Sequence, residues 1–184
     1  MLAFRVLEET VPYCGTELKS GWVGEHTGLP GDAAAGFIGP CDVPTENLVD
    51  LDDARAGDFI RAVSMAHVIV EHPGCSLETA VLRQRLLVAL LGEVLSGMGR
   101  LARRDGDDLY YDGRKLTVSI AAPSSASCLI HLGINVDAGG APVPAVGLGE
   151  MGIDARVLLQ ELLSRYAYEL ETVAHATTKV KTVS

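Results

Sequence analysis

A chain of 184 residues that is 48% hydrophobic and 21% charged, with a mean hydropathy of +0.24, has the length of one domain and the apolar content for a core. This excludes a disordered, fibrous or two-large-domain protein. Acidic residues number 24 against 15 basic ones, giving a formal net charge of −9 and an isoelectric point near 4.9, so nucleic acid is not expected as the main partner.

The opening Met1-Leu-Ala-Phe-Arg5 has no basic stretch followed by an apolar one, and no apolar run approaches the ~18 residues of a membrane span. Neither export nor a membrane partner is expected. Cys14, Cys41, Cys75 and Cys128 form no CxxC pair, which reads as reduced thiols in a cytoplasm. From Gly15 to Gly57 the chain is rich in Gly, Pro, Asp and Ala, with turn signals at Leu29-Pro30-Gly31-Asp32 and Gly39-Pro40. Short strands joined by loops are expected there.

Ala62 to Glu71 is β-branched and apolar and stops at His72-Pro73-Gly74, the pattern of a buried strand. A long helix follows, capped by Ser76 and carrying an apolar stripe from Leu77 and Val81 through Leu82, Leu86, Leu90, Leu91, Val94 and Leu95 to Met98. Arg103 to Tyr111 and Arg114 to Ala121 read as two strands around an Asp112-Gly113 turn. Cys128 to Val136 is a further strand. A second amphipathic helix opens near Asp154, with Val157, Leu158, Leu162, Leu163, Tyr166, Leu170 and Val173 on its apolar side. This order predicts an α+β fold over residues 1–184: a largely antiparallel sheet with helices packed on one face.

Strand alternation assigns faces. In the last strand, Ile130, Leu132, Ile134 and Val136 share one side, and His131, Gly133 and Asn135 the other. In the strand before it, Leu116, Val118 and Ile120 are expected on the apolar side, leaving Lys115, Thr117 and Ser119 to join His131 and Asn135. Such a small, polar face is either solvated or a ligand floor.

Lys115, at the start of that strand, either is solvated beside the turn or holds a carboxylate or phosphate oxygen and stabilises charge developing on it. The run Arg103-Arg104-Asp105-Gly106-Asp107-Asp108 is either a surface network or a site where Arg104 meets an anion and carboxylates such as Asp108 orient it or hold Mg²⁺. His67, Glu71 and His72 contain metal-ligating types, with His67 and Glu71 on one face and His72 on the other, but they do not match HExxH. No metal ligands are assigned to them. Cys128 reads as a buried thiol rather than a nucleophile. Asp137-Ala-Gly-Gly-Ala141 has a glycine pair but neither a dinucleotide nor a P-loop pattern.

The stretch Asp107 to Leu116, then Thr-Val-Ser-Ile-Ala, then His131-Leu-Gly-Ile-Asn-Val136, resembles the core of biotin and lipoate protein ligases and octanoyltransferases. Met65 to His72, Leu82 to Leu86, Gly106 to Tyr110, Lys115 to Ala121 and Ile130 to Asn135 look more closely like the domain of unknown function 366 family, over nearly the whole chain. The resemblance implies the ligase catalytic fold. It matches Lys115 to the ligases' catalytic lysine, which contacts the acyl carboxylate and adenylate phosphate, and Asn135 and Asp108 to positions lining or bracing that site. The chain departs from the ligases in three ways. Their Gly-rich, Arg-containing loop is not recognisable upstream of Met65, Val118 stands where the biotin enzymes have glycine, and the octanoyltransferase cysteine is absent between Pro144 and Leu148.

The expected function is therefore binding of a small carboxylate or its acyl-adenylate, with acyl activation or transfer as the chemistry and ATP with Mg²⁺ as the implied nucleotide and ion. Lys115 is the catalytic candidate, and Arg104, Asp108, Ser119, His131, Asn135 and His67 are the ligand-binding candidates. The alternatives are a non-catalytic binding module of the same fold and a metal-dependent hydrolase built on His67 and Glu71. An exposed helix or sheet edge would suit a homodimer.

Overall fold

The structure is a computed structural model that describes residues 2–183. Its order is β1 (Ala3–Thr10), α1 (Trp22–Thr27), β2 (Ala33–Val43), α2 (Leu51–Ala56), β3 (Ile60–Pro73), α3 (Leu77–Gly97), β4 (Arg103–Asp105), β5 (Asp108–Tyr111), β6 (Arg114–Lys115), β7 (Thr117–Pro123), β8 (Ser127–Asp137), α4 (Leu148–Met151) and α5 (Ala155–Thr178). One five-stranded sheet has the order β1-β2-β3-β8-β7, and β4-β5-β6 make a second, smaller sheet. In the large sheet only β1 and β2 run parallel. The α+β class and the mostly antiparallel sheet are as the element order predicts.

Helix ends are set by side chains that satisfy otherwise unpaired amides. The Ser76 side chain accepts from Thr79 N at the start of α3, and Asp154 accepts from Arg156 N and Val157 N at the start of α5. Leu87, Leu91, Val94 and Leu95 of α3 and Leu158, Leu159, Leu162 and Leu163 of α5 then close over Ala66, Val68 and Val70 of β3 and Ile130, Leu132 and Ile134 of β8. Leu77 and Leu82, placed on the stripe by spacing, instead face solvent. Ala80, Gln84 and Val88 take the inward positions, because α3 turns the face centred on them toward β7 and β8.

The second third of the sheet departs from expectation. Residues 33–43, read as loops and short strands, form an 11-residue strand between β1 and β3. It is buried almost throughout its first half, so it shows no alternation for a sequence reading to detect. Its small residues let α5 approach closely: a Cβ at Gly36 would lie 3.0 Å from Leu163 Cδ1. The sheet face opposite α3 and α5 is covered by Tyr13, Trp22 and Val23, which pack with Phe37, Met65 and Ile69.

The Asp112-Gly113 turn forms as expected, with both residues at positive φ (48° and 73°), the geometry a tight hairpin requires. Beyond it the predicted continuous strand breaks. Leu116 lies between β6 and β7, donating its N–H to Leu109 O and accepting from Asn135 N, and both Leu116 and Thr117 are buried. One extra residue at this point shifts the alternation. Val118 therefore pairs with Gly133 and Ile120 with His131, while Thr117 and Ser119 share the helix side with Ile134 and Leu132. This corrects the expected faces of β7.

Candidate functional site on the open face of the sheet

A cavity of about 450 Å³ lies on the sheet face away from α3 and α5. Met65, Val118, Ile120, His131 and Asn135 line it from the sheet, Tyr13 from the segment after β1, and Asp50, Asp53 and Asp58 from α2 and its flanks. Ala141, Pro142, Val143 and Ala145, from the segment after β8, complete it. A more open groove of about 600 Å³ between β1, the end of α3 and the start of α5 contains none of the sequence-predicted residues.

Lys115 and Asp108 both line the cavity, and Lys115 Nζ is 2.8 Å from Asp108 Oδ2. Burial pulls the Lys115 ammonium down, but the hydrogen bond and charge of Asp108 outweigh it, and the net direction is up. For Asp108 burial dominates, raising the carboxyl despite the hydrogen bond from Lys115. Each side chain thus stays partly desolvated beside an opposite charge. The strand end is clamped through its backbone: Lys115 N donates to Pro144 O, and Val146 N donates to Lys115 O. Asn135, on the next strand, donates from Nδ2 to the same Lys115 carbonyl at 3.3 Å.

His131 forms the inner part of the floor. Its Nε2 is 3.1 Å from His67 Nδ1, and Tyr13 stacks on its ring with centroids 4.0 Å apart. Phe37 stacks on the other imidazole, that of His67. Burial holds both imidazoles neutral, pushing His67 down to about 3 and His131 well below its ordinary value. His67 Nε2 is buried without a hydrogen-bond partner. His67 therefore braces His131 from the neighbouring strand, and His131 is the one of the two that lines the cavity.

The remaining candidates are placed differently. Ser119 lines the cavity, but its hydroxyl accepts from Gln84 Nε2 at 2.7 Å and donates to Asp107 O at 3.0 Å, tying β7 to α3 and to the β4–β5 turn. Arg104 is exposed and donates to Gly106 O, away from the cavity lining. Glu71 shares the His67 face, yet its carboxylate accepts from Ser20 Oγ, Gly21 N and Ser127 Oγ. His72 points to the helix side, between Asp32 Oδ1 and the Tyr166 hydroxyl. Among the described residues no group of three or more His, Cys, Asp or Glu side chains is placed to hold a metal ion. Cys128 is buried, its thiol donating to Cys75 O.

Sequence reasoning missed Tyr13 and the α2 carboxylates. The turn-rich composition of residues 15–57 predicts loops there, but periodicity gives no way to bring them over the sheet.

This arrangement of sheet and helices is similar to the fold of biotin and lipoate protein ligase catalytic domains. A biotin protein ligase from Aquifex aeolicus in complex with biotin and ATP is similar with a TM-score of 0.57 and 13% identity, covering 91% of this chain and 70% of that one. A lipoate-protein ligase A bound with ATP gives 0.56 and 13%, covering 91% and 85%. A protein of unknown function from Pyrococcus horikoshi is far nearer, with a TM-score of 0.93 and 36% identity over 100% of both chains. "Uncharacterized protein MJ0805" of Methanocaldococcus jannaschii is 36% identical over 174 residues, 91% of this chain and 79% of that protein. The chain belongs to the family described as Domain of unknown function (DUF366), which matches residues 2–181.

Proposed function

We propose that the chain binds a small carboxylate, or its acyl-adenylate, in the open-face cavity, and that Lys115 holds the reacting carboxyl or phosphate oxygen. The observation that carries this reading is the Lys115 ammonium itself. It is fixed by one carboxylate, Asp108, at 2.8 Å and lines a cavity large enough for a small ligand. An ammonium has three donors, so two remain for a ligand's oxygens. Asn135 and His131 border the same space. The biotin and ATP held by the A. aeolicus ligase, and the ATP held by the lipoate-protein ligase, support a carboxylate and a nucleotide as the ligand classes.

Attack of a carboxylate oxygen on the α-phosphate of ATP would form the acyl-adenylate, break the α–β phosphoanhydride bond and release pyrophosphate, and a positioned lysine stabilises the negative charge that develops. The residues fit a phosphate at Lys115, whereas a three-ligand metal set is absent among the described residues. Mg²⁺ would accordingly arrive on the nucleotide. Arg104 would join only after its side chain left Gly106 O.

The test is thermal melting of wild type and Lys115→Ala with ATP and Mg²⁺, biotin, lipoate, octanoate and their adenylate analogues, because a ligand of the folded state raises the Tm by mass action. A shift with an adenylate that vanishes in a folded Lys115→Ala protein supports the reading. Equal shifts in both proteins, or none in either, overturn it. Binding without turnover would identify a non-catalytic module of the same fold.

A further inference from the structure

Carboxylates outnumber cations among the residues that line the cavity. Asp50, Asp53, Asp58, Asp107 and Asp108 line it, against Arg61 and Lys115. Both cations are already paired, Lys115 with Asp108 at 2.8 Å and Arg61 with Asp42 at 2.9 Å. Asp107 is held by Arg85 and Gln84. Asp53 and Asp58 have no ion-pair partner among the described residues, and neither has Asp50, whose Oδ1 already caps α2 by accepting from Asp52 N and Asp53 N. The Asp53 carboxyl is raised first by burial and then by Asp50 and Asp58, with Lys115 pulling it back. A positive group placed among these carboxylates would relieve that repulsion.

A second observation points into the same space. His131 is only 3% exposed and lines the cavity, and a hydrogen bond joins its Nε2 to His67 Nδ1. Among the described residues its Nδ1 has no hydrogen-bond partner, and the ring that carries it lines the cavity. A buried polar atom without a partner is costly unless a ligand or water completes it. Between these polar ends the walls are apolar, with Val118 and Ile120 on the sheet and Val49, Phe59 and Val143 at the half-exposed rim.

We propose that the ligand is an amino-carboxylic acid, its carboxylate at Lys115 and a primary ammonium among Asp50, Asp53 and Asp58. This rests on the carboxylate reading of Lys115 and adds the positive end of the molecule. Charge complementarity at both ends selects it over the plain acid, which would add a further negative charge to an already acidic cavity.

The test is calorimetric titration of the full chain with lysine and a series of ω-amino acids. Each is compared with the carboxylic acid of the same chain lacking the amine, and with the amine lacking the carboxyl. The proteins are wild type, Asp53→Asn, Asp58→Asn and Lys115→Ala, each checked for folding by circular dichroism. The expected result is that at least one amino acid binds roughly tenfold or more tighter than its plain acid, the factor that 1.4 kcal/mol of differential binding confers. Asp53→Asn or Asp58→Asn should erase that preference by weakening the amino acid, while the plain acid, relieved of one repelling charge, binds as tightly or more tightly. Plain acids binding as tightly as their amino counterparts overturn the inference and leave the Lys115 reading standing. Amino acids preferred equally in wild type and Lys115→Ala overturn the Lys115 reading and the two-ended ligand with it. No binding by any amino acid at millimolar concentration overturns the inference alone, since the adenylate melts judge Lys115 separately.

Discussion

His67 Nδ1 lies 3.1 Å from His131 Nε2, which links two neutral imidazoles on adjacent antiparallel strands beneath the cavity. Both are depressed by burial, His67 to about 3 and His131 well below 6.5. In the unfolded chain both return toward 6.5. Below that value the unfolded state binds more protons than the folded one, so stability is full above about pH 6.5 and falls as the pH drops toward the folded values. Each imidazole contributes a slope of about 1.4 kcal/mol per pH unit. The raised Asp53 and Asp108 carboxyls act with the opposite sign, so the comparison between proteins is the informative quantity. Urea unfolding near pH 7.5 and pH 5 should show wild type losing more stability than His67→Phe, whose new ring packs beside Phe37 and Tyr13. Equal losses in the two proteins would refute this account.

Glu71 is predicted to be structural. Its carboxylate accepts three hydrogen bonds from Ser20 Oγ, Gly21 N and Ser127 Oγ, joining the start of α1 to β3 and β8. Glu71→Ala leaves these donors without a partner and should cost about 2–4 kcal/mol in chemical denaturation. Glu71→Gln keeps one acceptor oxygen and should cost less. Chelator should leave the wild-type melting temperature unchanged. Stoichiometric zinc in the purified protein, lost together with stability in Glu71→Gln, would instead favour a hydrolase built on His67 and Glu71.

What could be read from sequence was what is encoded locally. Ser76 and Asp154 mark helix starts because a side-chain oxygen must meet nearby amides, and Asp112-Gly113 marks a hairpin because both residues tolerate positive φ. Strand parity also put His131 and Asn135 on one face, and both line the cavity. It failed on β7, because the additional residue at Leu116 is set by Asn135 N and Leu109 O, neither adjacent in sequence. Tyr13 reaches His131 across more than half the chain, and no local pattern reports such a contact. Arg104 was chosen for its charge, which says nothing about the direction in which an exposed hairpin aims its side chains.

The Ser119 hydroxyl should matter for stability rather than for ligand. Gln84 Nε2 reaches Ser119 Oγ at 2.7 Å and Asp107 Oδ2 at 3.0 Å, so one amide bridges β7 and the turn before β5. Ser119→Ala removes the acceptor while Asp107 still satisfies the amide, and a loss of about 1 kcal/mol is expected. Gln84→Leu should cost more, because it leaves Ser119 with its bond to Asp107 O alone. Neither substitution should change the ligand-induced Tm shifts measured for wild type. A Ser119→Ala protein of normal stability that no longer responds to ligand would make the hydroxyl a ligand contact.

Gly147 connects the segment over the cavity to α4, and its backbone presses on the Val136 carbonyl so closely that a Cβ there would overlap it. The contact is with backbone, so no side chain can rotate away. In Gly147→Ala the segment must shift, and it is the segment that clamps Lys115, through Lys115 N to Pro144 O at 2.9 Å and Val146 N to Lys115 O at 3.0 Å. A loss of about 1–3 kcal/mol is expected from forcing the extra methyl into packed backbone. The movement should also weaken whatever ligand raises the wild-type Tm, since Lys115 and the lining residues Val143 and Ala145 move with it. Gly113→Ala, at a turn with open space around the site of the new methyl, serves as a control: its positive φ costs stability, and the cavity should be untouched. If the two variants lose similar stability but only Gly147→Ala loses ligand response, the segment after β8 positions Lys115. Ligand response retained in both would mean that Lys115 is held by Asp108 and β6 alone.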